Sequence, residues 1–253
     1  KQASFTLQNQ RFLVPESEGD TFKGHVALGL GSRTKIRLGT LDTDIITGNK
    51  SVADNPKIDS DISIFSIRPT IIALMGVLPN LDTFYGPSGL GAKLQVWGDN
   101  ALEAKEGSQS VAIAVAGNLG KNKSNCDTSF FREIALNDDD CSPNSDEITT
   151  KYRTLDFMGL YGRRLTDNFL LYANLSEKLI WASAKFVATD KNQVTTTTNI
   201  PTRMGHQTTG LGGLQFNYKH LVTSAEAGLV LTQWPHADTE FSYAAGAMVG
   251  FKW

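Results

Sequence analysis

The chain has 253 residues, of which 40% are hydrophobic and 20% charged, and a formal net charge of −2. That composition is too apolar and too weakly charged for disorder, and it lacks the basic balance of a nucleic-acid binder. No run of about 18 uncharged apolar residues occurs, which excludes a helical membrane protein.

The chain opens on Lys1 rather than Met, which reads as a processed chain. Residues 1–20 form an N-terminal segment that predicts either a first strand or a plug, because 5–14 alternates poorly. Strand-sized segments then follow at 21–31, 33–47, 61–78, 82–98, 108–119, 149–163, 168–188, 206–218, 221–233 and 240–253. The last is the most informative. Phe241, Tyr243, Ala245, Ala247, Val249, Phe251 and Trp253 alternate with Ser242, Ala244, Gly246, Met248, Gly250 and Lys252. This period-2 pattern runs longer than the usual five or six residues of a soluble strand. Aromatic residues stand at both ends of the apolar face, the layout of a strand that crosses a bilayer between two aromatic girdles.

The connections carry a second pattern. Tight polar turns occur around 79–82, 163–169 and 219–220. Between them lie long polar stretches at 48–60, 98–109, 121–149, 189–205 and 235–240. Short turns alternating with long loops is the asymmetry of transmembrane β-barrels. Over most of residues 21–253 the chain resembles bacterial outer-membrane β-barrel proteins of porin-like type. The most specific part of the resemblance is the end Gly250-Phe251-Lys252-Trp253, with the alternating strand before it. In that family a terminal aromatic with apolar residues at alternate positions is the assembly-machinery signal, here Tyr243, Val249, Phe251 and Trp253. The resemblance implies an all-β fold, a single transmembrane antiparallel β-barrel over 21–253, and a bacterial outer-membrane location.

With 4–14 included, the candidate strands number eleven, and parity requires another. An upward strand within 122–136 supplies it and gives about twelve. A ten-strand barrel without the N-terminal strand is the alternative count.

One face of each strand should meet lipid and the other the lumen. Ile36, Leu38, Phe65, Ile67, Ile71, Met75, Val77, Phe84, Leu90, Leu94 and Val96 read as outward. Among the inward positions are Arg37, Arg68, Tyr85, Lys93, Gln95, Asp156 and Glu226. Charges in lipid are costly, so these face water or each other. Arg37, Arg68, Lys93, Gln95, Asp156 and Glu226 either set the selectivity of an aqueous pore or pair up and fill a narrow barrel. The outward face of the last three strands is poor in bulk: Gly210, Gly212, Ala225, Ala227, Ala245 and Ala247 form a small-residue wall that a second copy of the chain would approach closely.

The chemistry of the remaining residues is sparse. Cys126 and Cys141 lie in a polar, acidic stretch and read as a loop disulfide, worth about 3 kcal/mol in the chain-entropy model. They lack the further ligands of a metal site. His206 is followed by Thr208 rather than the serine of outer-membrane phospholipases. His236 stands beside Asp238 and Glu240, as part of a protease dyad would. The run Asp138-Asp139-Asp140 lacks the spacing of a calcium loop. Lys151 and Arg153, near an outer strand end, are placed to meet lipopolysaccharide phosphates. No catalytic residue, metal or cofactor is expected. The resulting expectation is a porin-like channel for small solutes, with membrane lipid, lipopolysaccharide, the barrel assembly machinery and other copies of itself as partners, and no nucleic acid. The alternative is a structural barrel with a blocked lumen that organises lipid or a partner. An outer-membrane hydrolase is the third reading.

Overall fold

The computed structural model describes residues 1–43, 50–61, 69–125, 146–189 and 194–253. Among these residues ten strands close into an antiparallel barrel. They are β2 (Gly24–Gly31), β6 (Thr70–Leu78), β7 (Leu81–Gly86), β8 (Gly89–Gly98), β9 (Gln109–Asn125), β10 (Glu147–Arg164), β11 (Phe169–Thr189), β12 (Thr195–Tyr218), β13 (Leu221–Gln233) and β14 (Glu240–Lys252). Each pairs with its neighbour in chain order, and β14 returns to β2 through Val249↔Leu28 and Phe251↔Val26. A second sheet comprises β1 (Gln2–Gln8), β3 (Arg33–Thr43), β4 (Lys50–Ala53) and β5 (Lys57–Asp61), with β3 at its centre.

The count is ten rather than twelve for four local reasons. Residues 1–8 pair with β3, and β3 itself, expected as the barrel strand 33–47, belongs to the second sheet, so neither takes a place in the barrel wall. The predicted strand over 82–98 is two strands, β7 and β8, folded back at Pro87-Ser88, where Gly86 pairs with Gly89 and Gly89 takes a left-handed φ of +95°. The connection after Gly98 therefore lies at the same end as the tight turns. That restores parity with β9 pairing directly with β10; of the expected strand 122–136, residues 122–125 belong to β9 and 126–136 lie outside the described residues.

The hairpin also shifts the phase of the alternation. Phe84 points inward and is 7% exposed, whereas Tyr85, expected inward, is exposed. Ile36 and Leu38 are not lipid-facing. They are buried with Phe5, Ile180, Phe186, Ile200 and Trp234, where the second sheet packs against the inner face of the tall strands. Phe65, Ile67 and Arg68 lie outside the described residues.

The wall is uneven in height. β10, β11 and β12 have 18, 21 and 24 residues, whereas a tilted crossing needs about ten. Their surplus projects beyond the bilayer at the end that carries the long connections, and the second sheet sits beside it. Leu171, Leu175, Leu214, Leu221, Leu229 and Val249 face outward and are exposed, a pattern that only a lipid surrounding makes favourable. At the short-turn end Phe169 and Phe216 meet at 4.8 Å, and the indole of Trp253 donates to the Phe22 carbonyl at 2.7 Å.

Candidate functional site: the occupied lumen

After β1 the chain does not return to the surface. Residues 9–18 are all buried and run down the inside of the barrel, from the mouth at Ser32 to the turn at Pro79. An extended segment buried on every side has no polar face, which is why its sequence does not alternate.

Glycines on the wall make room for it. A Cβ on Gly29 would lie 3.0 Å from the Phe12 ring, and one on Gly246 would lie 2.6 Å from Gln10 Cγ and 2.9 Å from Phe12 Cζ. A Cβ on Gly162 would lie 2.7 Å from Pro15. These glycines point inward from β2, β14 and β10.

Charged wall residues grip the segment along its length. Near the top, Gln10 donates to the Ala245 carbonyl at 2.7 Å. Next, Phe12 adopts a left-handed φ of 51°, unusual for an aromatic residue. The bend aims two successive backbone N–H groups at one carboxylate: Arg11 and Phe12 donate to Glu226 at 2.9 and 2.8 Å. Successive amides in such a bend form an anion-binding concavity. Tyr172 donates its hydroxyl to the same carboxylate at 3.0 Å. The Arg11 guanidinium lies 3.0 Å from Asp156, whose carboxylate also faces Lys178 at 3.5 Å and accepts from Ser88 at 2.5 Å.

Further down, Leu13 packs with Leu74, Phe84, Ala112, Met158 and Leu160. Lys93 pairs with Asp82 at 2.9 Å and donates to the carbonyls of Val14 and Glu16. Arg164 clasps Glu16 through two bonds of 2.8 and 2.7 Å. Gln95 accepts from the Ser17 N–H at 2.7 Å. At the bottom Glu18 meets His25 and Lys252, each at 3.2 Å. Removing one partner of a buried pair costs about 3–5 kcal/mol, because the other charge is left without water.

Of the six residues expected to line a lumen, Lys93, Gln95, Asp156 and Glu226 thus point inward, and each contacts residues 9–18 or, for Asp156, the side chain of Arg11. Arg37 does not; it lies on β3 in the second sheet and donates to the Asn55 carbonyl at 3.3 Å. Arg68, Cys126, Cys141 and Asp138–Asp140 lie outside the described residues. The sequence reading missed Arg11, Glu16 and Glu18 as partners of these residues. The signal available was the set of inward glycines on β2 and β14, which leave space that wall side chains do not fill.

The outer wall holds the other expected groups. Tyr243, Val249, Phe251 and Trp253 are exposed along the lipid-facing side of β14. Gly212, Ala227 and Ala245 stand opposite one another across β12, β13 and β14, and Ala225 stands opposite Ala247. His206 and Thr208 also face outward. His206 Nδ1 lies 2.9 Å from Glu177, and the Thr208 hydroxyl donates to the other oxygen of that carboxylate at 2.5 Å. The hydroxyl is therefore engaged by the acid rather than by the imidazole.

An even-numbered antiparallel ring, an apolar exterior and aromatic residues at the short-turn end together decide the class. The chain folds as a transmembrane β-barrel. No protein-family model and no curated protein matches it. Among solved structures it is similar to Ail, the attachment invasion locus protein of Yersinia pestis, in complex with the heparin analogue sucrose octasulfate. That likeness has 10% identity over 92% of this chain and 98% of the other, with a TM-score of 0.34. A second structure of Ail gives 11% identity, the same coverage of both chains and a TM-score of 0.32.

Proposed function

We propose that this outer-membrane barrel is closed to solutes at rest and works through its surfaces, organising lipid or a partner. The observation that supports the reading is the seating of residues 9–18 in the lumen, fixed by Glu226, Asp156, Lys93 and Arg164. Lumen charges are engaged by one another and by the backbone of the segment, so they stabilise a filling rather than select a passing ion. The small-residue wall around Ala227 and Ala245 is where a second copy would approach most closely.

A porin-like channel is the second reading, favoured by the polar character of the inward face once the segment is moved aside. Planar-bilayer recording separates the two. Folded, inserted protein should give no discrete conductance, and removal of residues 1–20 should produce steps. Regular steps from the intact chain would overturn the closed reading. Hydrolysis of a lipid ester by the intact chain, lost in Glu177→Gln, would instead favour an enzyme.

A further inference from the structure

Two cavities lie one above the other on the outside of the barrel, on the wall formed by β8–β12. The upper one has a volume of about 510 Å³ and is lined by Leu119, Lys121, Lys151, Arg153, Trp181 and Thr202, among others. Its charges are close neighbours. Lys121 stands directly opposite Lys151, and Arg153 stands between Leu119 and Trp181. The Arg153 guanidinium lies 5.2 Å from the centre of the Trp181 ring. Like charges placed directly opposite destabilise a sheet. Among the described residues no carboxylate pairs with Lys121 or Lys151. Glu147, the acid on the same stretch of wall, is taken by Lys123 at 3.0 Å.

The lower cavity has a volume of about 690 Å³ and is almost wholly apolar, lined by Leu94, Ile113, Val115, Phe157, Gly159 and Leu175 among others. Gly159 stands between Ile113 and Leu175 in register, and a Cβ there would meet only the Leu175 carbonyl oxygen, at 3.9 Å. The missing side chain makes the groove. Glu177, at its margin, is occupied by His206 and Thr208. Along β10 the step from Arg153 to Phe157 is four residues, about 13 Å. The basic cavity is the one nearer the long-loop end, which faces outward in barrels of this class.

A cationic pocket with an aromatic wall at the outer interface, above an apolar groove at hydrocarbon depth, matches one kind of molecule. We propose that this wall binds a phosphorylated, acylated glycolipid of the outer leaflet, the lipid A portion of lipopolysaccharide. Lys121, Lys151 and Arg153 hold a phosphate through charge-assisted hydrogen bonds. Trp181 covers the sugar side of the headgroup, and one acyl chain lies in the groove over Gly159. This deepens the lipid-organising reading but does not depend on the closed lumen, because lipid binding and conductance are read separately.

Native mass spectrometry of the intact, folded chain in detergent tests it. The probes are diphosphorylated lipid A, the same lipid without phosphates, phosphatidylglycerol, and the deacylated diphosphorylated disaccharide. Diphosphorylated lipid A should bind about tenfold or more tighter than the dephosphorylated form and than phosphatidylglycerol. The double variant Lys121→Ser/Lys151→Ser should lose that preference. Gly159→Leu should weaken lipid A while leaving the deacylated disaccharide unaffected. Equal binding of phosphorylated and dephosphorylated lipid A overturns the phosphate site. Equal binding of phosphatidylglycerol reduces it to general anion attraction and overturns the assignment to lipid A. If a variant fails to fold, the comparison of lipids on the unaltered chain still decides.

Discussion

Arg11 and Asp156 lie 3.0 Å apart with their side chains 1% and 0% exposed, one on the threaded segment and the other on the wall of β10. Lys178 faces the same carboxylate at 3.5 Å, so one acid serves two buried cations. The two halves of this contact are therefore unequal. Asp156→Ala leaves Arg11 and Lys178 facing each other without an acid, and should destabilise the barrel by about 3–5 kcal/mol. Arg11→Ala leaves Asp156 paired with Lys178 and Ser88, and should cost less. The temperature at which the compact, detergent-resistant band on a gel converts to the unfolded one checks the order. A larger loss for Arg11→Ala would contradict it.

Gly246 tests the fit of the segment from the other side. Gly246→Val places atoms against Gln10 Cγ, Phe12 Cζ and the Leu30 carbonyl. Overpacking of this kind costs about 1–3 kcal/mol. Ala247→Val, one residue on and facing lipid, should be close to neutral. Adding Phe12→Ala to Gly246→Val should give less than the sum of the two single losses, because one relieves the crowding of the other. Strict additivity in urea unfolding from vesicles would mean that Phe12 and Gly246 do not meet.

The second sheet is tied down by Asp146, which accepts from Lys50 at 2.6 Å and Lys1 at 2.9 Å. Burial alone would raise its carboxyl pKa, but hydrogen bonds from Lys50 and Lys1 and from the Thr189 N–H outweigh it, leaving the pKa below the ordinary 3.8. A depressed acid stabilises the fold above its unfolded value, and that contribution is lost as pH falls through the lower, folded value. Attachment of residues 1–8 should therefore hold at pH 5 and loosen only below about pH 4. Asp146→Asn should loosen it at every pH and remove that part of the acid dependence. Hydrogen exchange of the β1 amides, measured from pH 3 to 7, reports both effects.

Trp253 closes the ring at the short-turn end: its indole donates to the Phe22 carbonyl at 2.7 Å and its backbone N–H to Gly24 at 3.0 Å. Trp253→Ala removes this closure and an exposed aromatic of the β14 side together. The fraction of the chain recovered as folded barrel from outer membranes should fall several-fold, while Lys23→Ala, at an exposed residue of the same end, should have a smaller effect. Equal recovery would mean that Trp253 does not contribute to assembly.

Most of the barrel was legible because its strands have one wet face and one lipid face, so hydrophobicity repeats every second residue. β13 and β14 are the clearest cases. The hairpin at Pro87-Ser88 was hidden because its two short arms join into one apparent run of 82–98, and because four nearby glycines blur the phase. The connection after Gly98 was read as an outer loop because it is long and polar, although it lies among the tight turns. Residues 9–18 were illegible as a unit for the opposite reason: with neighbours on all sides, no position is required to be polar or apolar by its face. Lys93, Asp156 and Glu226 were readable as inward, but their partners Arg11 and Glu16 lie far away in sequence, in a stretch without a pattern.

Ala112 reports whether residues 9–18 occupy the lumen. This residue points inward from β9, packs beside Leu13 and is 0% exposed; in an open pore it would face water. With Cys126 and Cys141 replaced by serine, Ala112→Cys should resist a charged, membrane-impermeant thiol reagent in inserted protein, and should react once residues 1–20 are removed. Labelling of the intact chain as fast as an exposed control, Thr21→Cys, would contradict the occupied lumen.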